Sequence, residues 1–383
     1  MPELAKAAAK LSSQTFFRRL LAAAACLSLV LNIAACWQTY HRRPLREAAS
    51  RSLMAERSSF FYDSGFAEPV PVAALKLAMA AGAEPDAAVR AGGIAVYVLL
   101  FIVTLVVFWN RYNWACAPLS ALFVACNMFF GYYAMEGSAH LYSLLFLVLF
   151  WHFFQGSGRP SGLLAGLFAA LACLSRLDSA LVVLAVAALT WAVRRGGFDL
   201  KRAGLALGLA LALTAPYLAW QKAAYGNALY AQELGLRRFA NTALLRADPR
   251  AQVLPGPVGP FSFLLRDGAA GAVSGTFAGL GRAIAYEVPR AVHYKFMFVL
   301  IFLGVYAAFT LKKDPLLFFA AGALLPALPL AAVPAGGLEI KYYLCLLWAL
   351  CALAGLGLSE TVAWIEKVAP RAAAGGNKEG RNK

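Results

Sequence analysis

Charged side chains are scarce in this sequence. Only 14% of its 383 residues are Asp, Glu, Lys or Arg, against about 25% in a typical soluble domain. A water-soluble globule with 61% hydrophobic residues would have too little polar surface to cover its core. The composition therefore excludes ordinary cytosolic enzymes, disordered chains and secreted disulfide scaffolds. It leaves a polytopic membrane protein.

Paired cysteines and clustered metal ligands are also missing. The seven cysteines form no CxxC pair, and the four histidines form no HxxxH pair or other zinc pattern. The net charge is +16, but no folded soluble domain accompanies the basic residues, so we expect no nucleic-acid partner. We therefore predict no metal site from these residue types and look instead at where the charges lie.

Long apolar runs are abundant. About 20 residues cross a hydrocarbon core of about 30 Å, because an α-helix rises about 1.5 Å per residue. The pairs Gly162/Gly166 and Gly204/Gly208 have the spacing of closely packed helices. We predict an all-α bundle of about ten transmembrane spans, at 20–37, 92–109, 115–135, 139–155, 161–175, 179–193, 203–220, 295–311, 316–334 and 342–358.

The spans form one predicted domain at 1–369, followed by a disordered basic cytoplasmic tail at 370–383. Two connections are long, at about 38–91 and 221–294. The apolar stretch 72–82 is too short to span, so we expect it to form an interfacial helix on the membrane surface.

Basic residues orient the bundle. With both termini in the cytoplasm, the short outer loops hold only Arg176 and Lys341, and the short inner segments hold seventeen Lys and Arg. The inner ones are Lys6, Lys10, Arg18, Arg19, Arg111, Arg159, Arg194, Arg195, Lys201, Arg202, Lys312, Lys313, Lys367, Arg371, Lys378, Arg381 and Lys383. The Ala- and Leu-rich composition favours the inner membrane of a GC-rich bacterium. Most acidic residues then lie on the outer side, where we expect any acid–base chemistry.

Two carboxylates stand five residues apart in the first outer loop. Asp63 follows three aromatic residues and precedes a Ser-Gly turn signal, while Glu68 precedes Pro69. A pair of acids in a stiff turn at the membrane surface forms a plausible acid–base or cation site. The alternative is an ordinary solvated loop.

Two short outer turns also carry charge. Glu136 and His140 are four residues apart and share a helix face if the helix begins early. Arg176 and Asp178 are framed by apolar spans, where charges are costly unless they are paired. For both turns, structural pairing is the alternative to a role in a functional site.

The second long loop is basic and aromatic. Lys222 lies just after a Pro-Tyr-x-x-Trp segment, and Arg237 and Arg238 follow a Tyr-Gly turn. Arginines at the outer surface can hold a lipid-linked phosphate by bidentate hydrogen bonds. General contact with lipid headgroups is the alternative.

These motifs, in this order, resemble the GT-C superfamily of integral-membrane glycosyltransferases, with the protein-mannosyltransferase-like branch closest. The resemblance covers about 45–358 and rests on four segments. They are Ala134-Met135-Glu136 with Tyr142, Leu174-Ser175-Arg176-Leu177-Asp178, Tyr225-Gly226-Asn227 through Arg237, and Lys341-Tyr342-Tyr343. The chain departs from the family in lacking adjacent acids in the first loop and a soluble outer domain.

The resemblance implies transfer of a sugar from a polyprenyl-phosphate donor to a lipid, glycan or protein acceptor at the outer membrane face. It implies Asp63 as the base, with Glu68 as its substitute or as a cation ligand. The implied phosphate-binding residues are Arg237, Arg238, Lys341 and Lys222, and the site-organising residues are Glu136, His140, Arg176 and Asp178. A divalent metal is compatible with this site, and no residue pattern requires one.

Two other functions are consistent with a polytopic chain. One is a transporter or lipid flippase, although the charges gather at one surface and no internal repeat is visible. The other is a catalytically inactive relative that serves as a subunit of a membrane complex. In every case the membrane lipids themselves are partners.

Overall fold

The computed structural model describes residues 2–45, 49–65, 67–109, 111–193, 198–248, 250, 252–265, 268–312, 315–326 and 340–379. All regular structure in these ranges is helical. The α-helices are α1 Pro2–Tyr40, α2 Ala49–Arg57, α3 Pro69–Ala80, α4 Pro85–Trp109, α5 Cys116–Cys126, α6 Met128–Met135, α7 Ala139–Phe154, α8 Gly158–Ser175, α9 Ser179–Val193, α10 Leu200–Tyr225, α11 Tyr230–Ala247, α12 Pro260–Leu264, α13 Gly268–Arg282, α14 Val288–Val292, α15 Met297–Tyr306, α16 Leu316–Gly322 and α17 Leu344–Glu379. Two π-helical segments, Ala283–Glu287 and Ala307–Lys312, and the 3-10 helix Ile340–Tyr343 join some of them.

Among the described residues, fewer helices have the length and hydropathy of a membrane span than the ten predicted. Five in the described ranges are long and apolar enough: Ser13–Tyr40, Pro85–Trp109, Gly158–Ser175, Leu200–Tyr225 and Ile340–Val368. Two bent pairs bring the number to seven if each is one span. They are Cys116–Cys126 with Met128–Met135, bent by 58°, and Gly268–Val292 with Met297–Thr310, bent by 109°.

The predicted spans at 139–155 and 179–193 are helices, α7 and α9, but with 16 and 15 residues they are short. Helix α7 is buried on most of its surface, and Phe150 and Trp151 are fully buried. Hydropathy alone does not separate a core helix from a lipid-facing one, because both are apolar. Most of the predicted span at 316–334 lies beyond α16, and 327–339 lies outside the described residues.

The core is aromatic. The rings of Trp151 and Trp348 lie 6.1 Å apart, and Phe108 stacks on Trp348 at 5.9 Å. The two indole N–H groups donate to the carbonyl of Pro315 at 3.1 Å and to the hydroxyl of Thr104 at 2.9 Å. Each buried polar atom of the two tryptophans therefore has a partner, as a membrane interior requires.

The bend between α5 and α6 is stabilised by one side chain. Asn127 accepts a hydrogen bond from the backbone N–H of Phe129 at 3.0 Å, which caps the start of α6. Its amide also donates to the carbonyl of Ala291 at 2.9 Å. Backbone polar groups at the break between α5 and α6 thus find partners inside the protein.

Helix α3 confirms the short apolar helix predicted at 72–82. It begins at Pro69, where the missing N–H and fixed φ of proline suit the first turn. The predicted close packing at Gly162 and Gly166 is also confirmed. A Cβ at Gly166 would lie 2.7 Å from the carbonyl oxygen of Ala206 in α10. At Gly204 and Gly208 the prediction is wrong, because no atom of another described helix lies within 4 Å of such a Cβ.

Helix α17 runs to Glu379, but the side chains from 369 onward and residues 380–383 lie outside what the structure describes, so disorder of the tail at 370–383 stays a prediction.

Candidate active site at the charged turns

A paired arginine and aspartate connect α8 to α9. Arg176 follows the last residue of α8, and its Nε donates to Oδ1 of Asp178 at 2.9 Å while Nη2 donates to Oδ2 at 2.7 Å. This bidentate geometry is the strong form of an arginine–carboxylate contact. The structural pairing named above as the alternative for this turn is present, and a role of the two residues in a site stays a prediction.

Glu68 from the first loop reaches the same arginine. Its Oε1 lies 4.0 Å from Nη1 of Arg176. Burial lowers the pKa of Arg176, but the charge and hydrogen bonds of Asp178, followed by the charge of Glu68, raise it more, and the net shift is upward. Arg176 is therefore a permanent cation between two carboxylates from different parts of the chain.

The Arg176–Asp178 pair lines a cleft with about 350 Å³ of empty space, counting its open mouth. Lys341 and Tyr342, just before α17, line it from another side. His140 and Ser143 face it from α7. Four residues predicted from three separate segments, His140, the Arg176–Asp178 turn and Lys341, are thus brought to one cleft, and Glu68 contacts Arg176.

His140 has one ring nitrogen available for a ligand. The residue is buried, and Nδ1 lies 3.4 Å from the hydroxyl of Ser138. Nε2 is buried and has no hydrogen-bond partner among the described residues. A buried unpaired nitrogen beside a cleft is costly unless a substrate or water completes it.

The segment that carries Lys341 connects the cleft to the second long loop. The backbone N–H of Lys341 donates to the hydroxyl of Tyr133 at 3.1 Å, and its ammonium lies 5.3 Å from the ring centre of Tyr342. The ring of Tyr342 packs edge-on against His140 at 5.2 Å and Phe239 at 5.9 Å. Helix α11 therefore contacts the cleft through Phe239.

Three polar contacts hold the first loop on α10. The amide of Gln221 donates to the carbonyl of Gly65 at 2.7 Å, and the hydroxyl of Tyr217 lies 3.4 Å from the carbonyl of Ala67. The hydroxyl of Tyr62 donates to the carbonyl of Leu213 at 3.0 Å. These bonds position the residues just before Glu68. No motif in the sequence pointed to Gln221, although an amide at the end of a predicted span is a signal of such a contact.

Asp63 lies in the same loop but has local partners. Its Oδ2 accepts hydrogen bonds from the backbone N–H of Ser59 at 2.9 Å and from the Ser59 hydroxyl at 2.8 Å. Within the described ranges no hydrogen bond or ion pair joins Asp63 to Arg176 or Lys341. The carboxylate caps its own turn, and its predicted role as base stays a prediction.

Glu136 is buried at the C-terminal end of α6. The next residue, Gly137, has φ +59°, and a Cβ there would lie 2.4 Å from a methyl group of Val89. Only glycine fits this turn without strain. Glu136 is thus buried in the turn between α6 and α7, and it is not among the residues that line the cleft.

The predicted phosphate ligands of the second loop lie apart from the cleft lining. Arg237 in α11 donates to the carbonyl of Pro255 at 2.9 Å. Arg238 and Lys222 are exposed. Their binding to a phosphate stays a prediction.

Within the described part of the chain, no group of three or more His, Cys, Asp or Glu residues comes together as metal ligands. The carboxylates nearest the cleft, Glu68 and Asp178, both contact Arg176. The structure therefore names no ligand set for a divalent metal.

A solved structure has a similar fold. It is the crystal structure of ArnT from Cupriavidus metallidurans bound to undecaprenyl phosphate, with a TM-score of 0.57 and 13% sequence identity. The similarity covers 94% of this chain and 63% of that chain, so this chain spans less than two thirds of the length of ArnT. No protein-family model and no curated protein matches the sequence. The predicted all-α fold class is confirmed, and the helices are arranged similarly to those of ArnT.

Proposed function

We propose that this chain is a membrane glycosyltransferase that takes a sugar from a polyprenyl-phosphate donor and passes it to an acceptor hydroxyl at the outer membrane face. The observation that carries the proposal is the cleft shared by Arg176, Asp178, Lys341 and His140, with Glu68 4.0 Å from Arg176. Two cations and two carboxylates from three segments of the chain meet there. The GT-C fold supports the same chemistry.

The reaction needs two kinds of charge. A new bond forms between the acceptor oxygen and the anomeric carbon, while the bond from that carbon to the phosphate oxygen breaks. The phosphate leaves with the electron pair, and Lys341 and Arg176 stabilise its negative charge. A carboxylate takes the proton from the acceptor hydroxyl. Nε2 of His140 binds a sugar hydroxyl and so orients the donor.

Glu68 is the better placed of the two candidate bases. Its carboxylate lies 4.0 Å from the Arg176 guanidinium that lines the cleft. Asp63 instead accepts two hydrogen bonds from Ser59. We therefore assign proton transfer to Glu68 and keep Asp63 as the alternative. Arg237, Arg238 and Lys222 are proposed to hold lipid phosphates at the membrane surface, in the inner membrane of a bacterium.

The test is sugar transfer from a polyprenyl-phosphate donor in membranes that contain each variant. A general base contributes roughly 10²- to 10⁴-fold in rate, so we expect Glu68→Gln to lose activity in that range. Lys341→Gln should also lose activity, and Asp63→Asn should lose less than Glu68→Gln. Glu56→Gln is the matched control, because Glu56 is an exposed acid of α2.

The results separate the alternatives. Full activity of Glu68→Gln with loss in Asp63→Asn would move the base to Asp63, and full activity of both would remove the first loop from the mechanism. Wild-type membranes that transfer no sugar from any donor would favour an inactive subunit. Mass spectrometry of envelope glycans with and without the protein would identify the sugar and the acceptor.

A further inference from the structure

A second and larger cavity lies between α3 and α4. It has about 870 Å³ of empty space, counting its mouth, and its walls are mainly small apolar residues. Ala87, Ala91 and Ala95 line it from α4 at a spacing of four residues, which places them on one helix face. They are also exposed on the surface of a candidate membrane span, so a lipid can enter the cavity from the side.

One cation lines this otherwise apolar cavity. Arg51 of α2 is 6% exposed, and one of its nitrogens donates to the carbonyl of Gly137. A guanidinium has five N–H donors. In the described ranges no carboxylate pairs with Arg51, and a buried charge without a counter-charge is costly. The site is therefore complementary to a ligand with an anionic group and an apolar chain.

The cavity and the cleft described above lie on different faces of α7. His140, Ser143 and Leu147 line the cleft, whereas Tyr142 lines the cavity. Because successive residues turn by about 100°, Tyr142 points about 200° away from His140 around the helix. A lipid phosphate at Arg51 and a donor phosphate at Lys341 would thus occupy separate places.

We propose that this cavity binds an anionic phospholipid of the bilayer, with one acyl chain against the alanine-lined walls and its phosphate on Arg51. The phosphate supplies the missing counter-charge and accepts the remaining N–H groups of the guanidinium. The choice of a bilayer phospholipid over the donor lipid rests on the proposed function, which places the donor phosphate in the other cleft. The bound lipid fills the space between α3, which follows Glu68, and α4.

The experiment is lipid binding to the delipidated full-length protein in detergent, measured by native mass spectrometry. Phosphatidylglycerol is compared with phosphatidylcholine of the same acyl chains. We expect one phosphatidylglycerol to bind roughly tenfold or more tightly than phosphatidylcholine. Both phosphates can accept hydrogen bonds from Arg51, but phosphatidylcholine also brings its choline cation close to the arginine. Arg51→Gln should remove this preference, and Ala91→Phe should block binding of both lipids.

Matched controls separate the site from general effects. Arg57→Gln changes an exposed arginine of the same helix α2, and Ala80→Phe adds the same bulk at an exposed position of α3 outside the cavity lining. Both should bind as the wild type does. Equal binding of the two lipids by the wild type, or an unchanged preference in Arg51→Gln, would overturn the proposal. Ala91→Phe keeps the test decisive if Arg51→Gln does not fold.

A competition arm distinguishes the source of the lipid. Polyprenyl phosphate should bind without displacing phosphatidylglycerol, and Lys341→Gln should leave phosphatidylglycerol binding unchanged. Displacement of one lipid by the other, one for one, would overturn the proposal and assign the cavity to the donor lipid. Sugar transfer is measured separately, so loss of the proposed function alone would leave the binding result standing.

Discussion

The side-chain amide of Gln221 donates a 2.7 Å hydrogen bond to the carbonyl of Gly65 and thereby fixes the first loop on the end of α10. Its oxygen also accepts from the backbone N–H of Ala231 at 3.2 Å, at the start of the second loop. Gln221 is fully buried. One amide therefore connects the two long loops, and the point it holds in the first loop, Gly65, is three residues before Glu68.

Replacing this amide should loosen the loop that carries Glu68. Gln221→Leu leaves the Gly65 carbonyl and the Ala231 N–H without partners, and each buried unpaired group costs about 1–3 kcal/mol. We expect a lower thermal unfolding midpoint in detergent and weaker sugar transfer. Gln221→Glu keeps the acceptor for the Ala231 N–H, so its thermal unfolding midpoint should lie between those of the wild type and Gln221→Leu. A Gln221→Leu protein as stable as the wild type would contradict this role.

The Arg176–Asp178 pair should be important for stability as a unit. Asp178→Asn removes the bidentate partner of a largely buried arginine and leaves it the weaker contact with Glu68 at 4.0 Å; breaking a buried pair costs roughly 3 kcal/mol or more. We expect a much larger fall in the thermal midpoint than for Asp63→Asn, whose carboxylate is partly exposed.

The double variant Arg176→Met/Asp178→Leu tests whether the lower thermal midpoint of Asp178→Asn comes from the buried Arg176 charge that has lost Asp178. Removing both charges also removes the cost of burying them, so the double variant should be more stable than Asp178→Asn. A double variant that is less stable than Asp178→Asn would show that the Arg176–Asp178 contacts contribute more to stability than the burial of the Arg176 charge costs.

Two glycines with a left-handed backbone form a matched pair. Gly137 and Gly82 have φ +59° and φ +88°, and an alanine in this conformation costs roughly 1–2 kcal/mol. A Cβ at Gly82 meets nothing within 4 Å, whereas at Gly137 it lies 2.4 Å from Val89. Gly137→Ala should therefore lower the free energy of unfolding more than Gly82→Ala, as measured by denaturation in detergent. Equal effects would mean that Val89 moves away from an added Cβ at Gly137 without a loss of stability.

The orientation in the membrane follows from the distribution of Lys and Arg. Topology reporters fused at residues 60 and 240 should report the outer compartment, and one fused at 380 the cytoplasm. An outer signal at 380 would reverse the orientation and place the cleft on the inner side.

The sequence by itself determined the class of protein, and it predicts the side of the membrane on which the charged turns lie. Few charges and long apolar runs require a membrane bundle, because a bilayer admits only segments that bond their own backbone. The helix at Pro69–Ala80 could be predicted since its length and proline start are local features. The charged turns at Glu136, Arg176 and Lys341 are predicted to lie at one membrane surface, and the structure brings Arg176 and Lys341 to one cleft.

Only the tertiary structure decided which of these charges touch. Glu68 reaches Arg176 while Asp63 bonds Ser59, although both acids stand in the same loop. Arg51 became buried beside an alanine-lined cavity, and α7 became a core helix instead of a clear membrane span. Hydropathy and spacing are local properties of the chain. Contacts between distant turns depend on how the helices pack, and in an apolar bundle that packing is set by the shapes of side chains from the whole sequence.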